Sequence, residues 1–304
     1  MPLSASPVIR RVRLGAELRR LRHRESLTLE QVCDRLGWAS TSKLSRIELG
    51  QSRPDLADVL DLLDVYSVPP GQREVLIVIA RDAATGRGWS KALGEMGERQ
   101  RAYAELEAGV ARLVEYQPVV VLGLLQTPAY ARLRVTAGAL LDGEVDVEAD
   151  VRARLARQEV LRRADPPRYT ALLDERACDP GGVPIEVWRE QLRHLVALAD
   201  RPNITIRVVP RDSAARGGIH PLTGFSHYAF PDPADPRTVL VETLTTDLRL
   251  VTEAEVARYE RLAEWLLAVA LPVDETAALL ARRAEKPVVP RPRAAPEVAV
   301  PDGH

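Results

Sequence analysis

Residues 28–54 read TLEQVCDRLGWASTSKLSRIELGQSRP, two short amphipathic helices joined by a tight turn. Thr28 can cap the first helix, and Gln31, three positions on, completes a capping box. Val32, Cys33 and Leu36 make one apolar face, and Gly37 suits the left-handed residue on which helices often end. Ser40 or Thr41 can cap a second helix whose buried stripe is Leu44 and Ile47. Thr41, Ser42, Lys43, Ser45 and Arg46 are then left outside. A second helix with that exterior, laid in the major groove, meets base edges and phosphates. Two capped helices are common in any helical domain, so the neighbouring segments decide between these readings.

Upstream, LGAELRRLRHRESL puts Leu14, Leu18 and Leu21 on one stripe, spaced four and three apart. Downstream, PDLADVLDLLDVY starts a helix at Pro54, with Leu56, Val59, Leu60 and Leu63 as its apolar set. A fifth helix follows Pro69-Pro70-Gly71 through QREVLIVIARDA. Five short helices with the strings LSRIE and G-x-x-x-P resemble the Xre family of phage-repressor-like regulators over residues 14–84. The resemblance implies an ion pair between Arg22 and Glu48, tying the first helix to the end of the recognition helix. It implies base reading by Thr41, Ser42 and Arg46, with Ser45 their outward neighbour; the fork of Arg46 matches guanine O6 and N7. Thr28, Lys43 and Arg53 are its phosphate contacts. The chain departs from the family in one respect. Gly37 to Ile47 is one residue longer than usual, with Ala39 or Ser40 the extra turn residue, which bears on Thr41 and Ser42 more than on Arg46.

Charge is unevenly distributed. Residues 1–53 hold 11 Arg or Lys against 5 Asp or Glu, while the whole chain carries −1. A basic head on an acidic body is what a phosphate-binding module joined to another domain looks like. Arginine content itself is weaker evidence: 39 Arg against 3 Lys is most simply a GC-rich coding bias. A length of 304 residues suits two domains, and 46% hydrophobic with 28% charged residues suits globular ones. The start, MPLSASPVIRRVR, lacks the apolar core of a signal peptide. The longest apolar run, Val119 to Leu125, is too short to span a bilayer. The expectation is a soluble, cytoplasmic protein that does not contact membrane.

The fold class expected is α+β. An all-α five-helix head at 10–84 and a linker at 85–102 precede a mixed α/β body with short antiparallel strands at 103–285. A proline-rich tail over 286–304 is expected to be disordered. In the body, a helix from Tyr103 should carry Leu106, Val110, Leu113 and Val114 on one face, and Val119 to Leu122 reads as a short strand. Asp146 to Arg163, IEVWREQLRHLVALA and Glu253 to Leu271 read as helices. RYTALLDE, NITIRVVP, GFSHYAF and RTVLVETL read as strands, the last two as a hairpin around PDPADP. From about Trp89 to Ala281, strings such as GLLQT, LLDE, PNITIRVVP and VLVET resemble the domain attached to Xre-type heads in actinobacterial WhiJ-like regulators. Leu122 stands where that family often has proline. The resemblance implies a small companion protein encoded nearby, in pairs likened to toxin–antitoxin systems.

Chemistry in the body is thinly signposted. His220, His227 and Glu242 are the types a two-His, one-carboxylate metal site needs, but in no known spacing. His194 reads as a helix-surface residue. Asp174 and Glu175 are adjacent in an extended segment and point to opposite faces. Cys33 reads as core, and Cys178, in a loop-like stretch, as exposed. No G-x-S-x-G, P-loop or dinucleotide fingerprint occurs. No metal, cofactor or catalysis is therefore expected. Tyr116, Gln126 and Tyr130, around GLLQTP, are candidates for a ligand or partner pocket, although Gln126 at a structural turn fits equally. The function read here is a homodimeric, sequence-specific transcriptional regulator on an inverted repeat of double-stranded DNA. Its body mediates dimerisation and answers to a small partner protein or small-molecule effector. The alternative is a toxin-like or catalytic body autoregulated through its DNA-binding head.

Overall fold

The computed structural model describes residues 6–84, 97–142, 146–216, 221–243 and 245–285. The head consists of α1 (Pro7–Arg24), α2 (Leu29–Leu36), α3 (Thr41–Glu48), α4 (Leu56–Val65) and α5 (Pro70–Ala84). Its core joins Leu14, Leu18 and Leu21 of α1 to Val32, Leu44, Val59, Leu63 and Ile79, with Tyr66 fully buried at the end of α4. Helix α2 has the capping box between Thr28 and Gln31 and stops at Gly37 with φ 66°. Ser40 occupies the N-cap position of α3 without a side-chain cap bond, and Asp55, rather than Pro54, caps α4.

Two glycines let α1 lie against the recognition helix. A Cβ on Gly15 would sit 2.5 Å from the Ile47 carbonyl oxygen and 2.6 Å from that of Glu48. Gly50, at φ +66°, would bring a Cβ within 2.8 Å of Val12 Cα. Both clashes are with backbone, which cannot rotate away.

The body is a six-stranded sheet between helical layers: β1 (Arg112–Gln117), β2 (Arg168–Asp174), β3 (Ile204–Val209), β4 (Phe225–Ala229), β5 (Thr238–Val241) and β6 (Leu248–Leu250). Strand order is β3-β2-β1-β4-β5-β6. The β1–β4, β4–β5 and β5–β6 ladders are antiparallel, and β1–β2 and β2–β3 are parallel. Parallel neighbours need long crossovers. Here these are α7 (Pro128–Asp142) with α8 (Val147–Arg157), and α9 (Ile185–Ala199). Leu113, Ala171, Leu173, Ile206 and Tyr228 face α9, α6 (Glu98–Glu107) and α11 (Val273–Glu285). Val114, Tyr116, Leu172, Phe225 and Val239 face α10 (Glu253–Val269).

The α+β class holds, and several local readings need correction. The helix expected from Tyr103 through Val114 ends at Glu107, and its supposed stripe residues Leu113 and Val114 lie on opposite faces of β1. Irregular chain does not continue to 102, because α6 starts at Glu98 on a run rich in good helix formers. Val119 to Leu122 is not a strand, and leads into a 3₁₀ turn at Gly123–Leu125. The helix expected from Glu253 to Leu271 is present as Glu253–Val269, and a further helix that the sequence reading did not anticipate follows at Val273–Glu285. Cys178 is 1% exposed, and burial pushes its thiol up to about 12. The expected linker at 85–96, the tail at 286–304 and His220 lie outside the described residues.

The head and body share one helix. Helix α1 starts three residues before the expected domain edge, where Ser6 caps it and Pro7 takes the first turn. Val8 and Ile9 are buried in the body's core, whereas Leu14 to Leu21 belong to the head's. Ser6 Oγ donates to the Glu105 carbonyl at 2.8 Å, and Arg11 pairs with the Glu105 carboxylate at 2.7 Å. Arg13 reaches Asp235 at 3.0 Å and also pairs with Asp232 in the β4–β5 loop.

Candidate nucleic-acid interface

Helix α3 presents Ser42, Lys43 and Arg46 exposed, with Thr41 and Ser45 half-buried at the margin. Leu44 and Ile47 hold the opposite face in the core at 0% and 5% exposure. Within α3, Lys43 bonds to Asp58 and Glu48 to Arg22.

Behind this surface, Arg22 Nε donates to Glu48 Oε1 at 2.7 Å and Nη2 to Oε2 at 2.9 Å. Arg22 Nη1 donates to the Leu27 carbonyl at 2.9 Å. The Glu48 hydrogen bonds hold the guanidinium above its ordinary range. This fork ties α1 to the last turn of α3 and fixes how far the recognition helix stands out.

The three phosphate candidates occupy different settings. The Thr28 hydroxyl caps α2, accepting the Gln31 N–H at 3.2 Å. Lys43 Nζ pairs with Asp58 of α4 and lies 4.3 Å from the Trp38 ring centroid. Sequence reading passed over Trp38, whose ring and Asp58 hold that ammonium at the helix surface. Arg53 lines a cleft of about 580 Å³ between head and body, together with Arg11, Gln51, Glu105 and Arg249.

The body pocket expected from Tyr116, Gln126 and Tyr130 is not assembled. Tyr116 is fully buried on the α10 face of the sheet, its ring 6.0 Å from that of Phe225. Tyr130 is buried on the other face, accepting the Val121 N–H at 3.3 Å and packing beside Trp188. Of the three, Gln126 is the one on the wall of a cavity of about 220 Å³ in the body. Its carboxamide donates to the Val121 carbonyl at 2.7 Å and accepts from Arg154 at 3.0 Å. The cavity's charged walls include Arg154, Arg157, Glu115 and Glu242, which the sequence reading did not group with Gln126.

Two of the residues weighed for metal binding, His227 and Glu242, lie on opposite faces of the sheet. His227 faces α10, where Nε2 lies 3.1 Å from Glu260 Oε1. Glu242 follows β5 on the opposite face and accepts from Tyr103 at 2.7 Å and Gln117 at 3.0 Å. Among the described residues no helix is long and apolar enough to cross a membrane.

Two family models match the chain. Residues 13–76 match a helix-turn-helix domain, and residues 100–282 match a domain of unknown function, DUF5753. No curated protein and no solved structure matches the chain.

Proposed function

We propose, for a chain that belongs to the DUF5753 family and carries a DNA-binding helix-turn-helix head, that it is a sequence-specific transcriptional regulator controlled through its body. The head is of Xre type and the body WhiJ-like in this reading. The observation that carries it is the exposed surface of α3, set out by the Arg22–Glu48 fork. Arg46 reads guanine, Thr41, Ser42 and Ser45 contact neighbouring base edges, and Thr28, Lys43 and Arg53 take phosphates. Lys43 then exchanges Asp58 for a phosphate, a swap between two anions at a half-exposed site.

Control by the body is supported by α1, which carries side chains into both cores. One such head buries too little surface for high specificity, so the regulator works as a homodimer on an inverted repeat. Half-sites then lie one helical turn, about 34 Å, or a multiple apart. The body acts by binding, without catalysis, and takes a small companion protein or a small-molecule effector. Incubating the full chain with sheared genomic DNA from its source at about 0.15 M salt, and sequencing what is retained, tests the reading. Enrichment of an inverted repeat supports it, and uniform recovery of all sequences speaks against it.

A further inference from the structure

Helix α8 carries two inward arginines one turn apart, and only one has a carboxylate. Arg157 is 6% exposed and donates two hydrogen bonds to Glu107, Nε to Oε2 at 3.0 Å and Nη2 to Oε1 at 2.5 Å. Arg154 has a neutral partner instead, the Gln126 carboxamide oxygen at 3.0 Å from Nη1. Its Nε is buried without any hydrogen bond, and no described carboxylate stands within ion-pair distance. Burial and the neighbouring Arg157 push this guanidinium down to about 10, still charged at neutral pH.

The surroundings hold Arg154 in that condition. Gln126 belongs to the GLLQT segment, which two buried glutamines fix in place. Gln158 Nε2 donates to the Gln126 carbonyl at 2.8 Å, and Gln191 spans the Leu125 carbonyl and the Thr127 N–H at 2.7 and 2.8 Å. The anchored Gln126 then positions Arg154 without neutralising it. Arg154 borders a cavity of about 220 Å³, with Arg134 at its exposed rim and Gln100, Tyr103 and Gln117 among its polar walls. That is below the roughly 300–1,000 Å³ of drug-sized pockets. Of the two carboxylates on its wall, Glu242 is already bonded to Tyr103 and Gln117, and Glu115 to Tyr169 and Ser226.

We propose that this cavity binds a small anionic metabolite, with Arg154 and Arg134 gripping its carboxylate or phosphate group. An anion there supplies the counter-charge that Arg154 lacks, with the geometry a guanidinium fork favours. The site also borders the route to the head. Arg99, Gln100 and Tyr103 of α6 line the cavity, while Ala102, Glu105 and Leu106 of the same helix line the cleft against α1 and Arg53. One helix thus forms a wall of both. The consequence for DNA rests on the regulator reading; the binding site does not.

The test is thermal unfolding of the full chain in chloride, inorganic phosphate or succinate at matched ionic strength, each titrated to tens of millimolar. One anion should raise the Tm saturably, by about 5–10 °C at a hundredfold excess over Kd. Which of the two does so separates a phosphate from a carboxylate ligand. Arg154→Met should abolish the rise while melting in chloride at or above the wild-type Tm, because it removes a buried charge without a counter-ion. Arg134→Ala, at the exposed rim, should weaken the anion at least threefold and leave the chloride Tm unchanged. No rise with either anion, the same rise in both variants, or a lower chloride Tm for Arg154→Met would each overturn the site. An anion that binds without changing retention of DNA leaves the site standing and removes its link to the head.

Discussion

The buried charges of the head and those of the body are treated differently. In the head, Arg22 and Glu48 neutralise each other through two short hydrogen bonds, and the remaining Arg22 nitrogen is taken by Leu27. In the body, Arg157 and Glu107 repeat that solution, but Arg154 and Glu115 do not. Glu115 stands in the middle of β1 with only hydroxyl donors, Tyr169 and Ser226, on its carboxyl. Complete pairing suits a rigid platform that holds a recognition helix at a fixed height. Incomplete pairing costs stability in the empty protein and leaves charge available to something that binds.

The comparison can be broken or sharpened by substitution. The largest effect is expected from Arg22→Met, which strands a buried Glu48 and should cost about 3–5 kcal/mol in urea unfolding. Pairing it with Glu48→Leu should recover most of that loss. A double variant as unstable as the single one would mean that the fork, and not its uncompensated half, holds the head together.

Next comes the pH dependence of Glu115. Burial, only partly offset by the Tyr169 and Ser226 hydrogen bonds, pushes its carboxyl up from an ordinary 4.5 to about 7. The folded protein therefore binds this proton more tightly than the unfolded chain. The stabilisation is fully present below about 4.5 and is lost as pH rises to about 7. Over that window Glu115 should withdraw on the order of 3 kcal/mol, and Glu115→Gln should remove that component from the stability–pH curve. Superimposable curves for the two proteins would contradict the assignment.

Gly15→Ala should cost about 1–3 kcal/mol by forcing α1 away from the carbonyl oxygens of Ile47 and Glu48. Because the shift moves α3, loss of DNA binding at temperatures where the head stays folded is part of the expectation. The smallest effect belongs to Lys43→Ala, which should weaken every duplex similarly and lower the salt slope by about 1. An unchanged slope would remove Lys43 from the phosphate contacts.

Legibility in the sequence follows the range of the interactions. The α2–α3 unit is written in local signals: the Thr28–Gln31 box, the Gly37 stop, and apolar residues at helical spacing. The body's strands with alternation, such as Ile204, Ile206 and Val208, are equally plain. Strand β1 is not, because a central strand buried on both faces loses alternation; RLVEYQ then passes for the end of a helix. The parallel pairing of β1, β2 and β3 depends on crossovers that no local pattern records. Grouping Tyr116, Gln126 and Tyr130 by nearness in sequence failed for a related reason, since Tyr116 leaves the sheet on the side opposite Gln117. Glu115, one residue before Tyr116, is the carboxylate of β1 that faces the cavity lined by Gln126.

The most direct test of the account is the binding of wild-type and Arg46→Ala protein to the enriched inverted repeat and to an unrelated duplex, at one salt concentration. Base reading by α3 predicts a loss of about 1–3 kcal/mol on the repeat and little change on the unrelated duplex. Equal losses on both would show that Arg46 only grips the backbone, and would contradict the claim that this helix chooses the sequence.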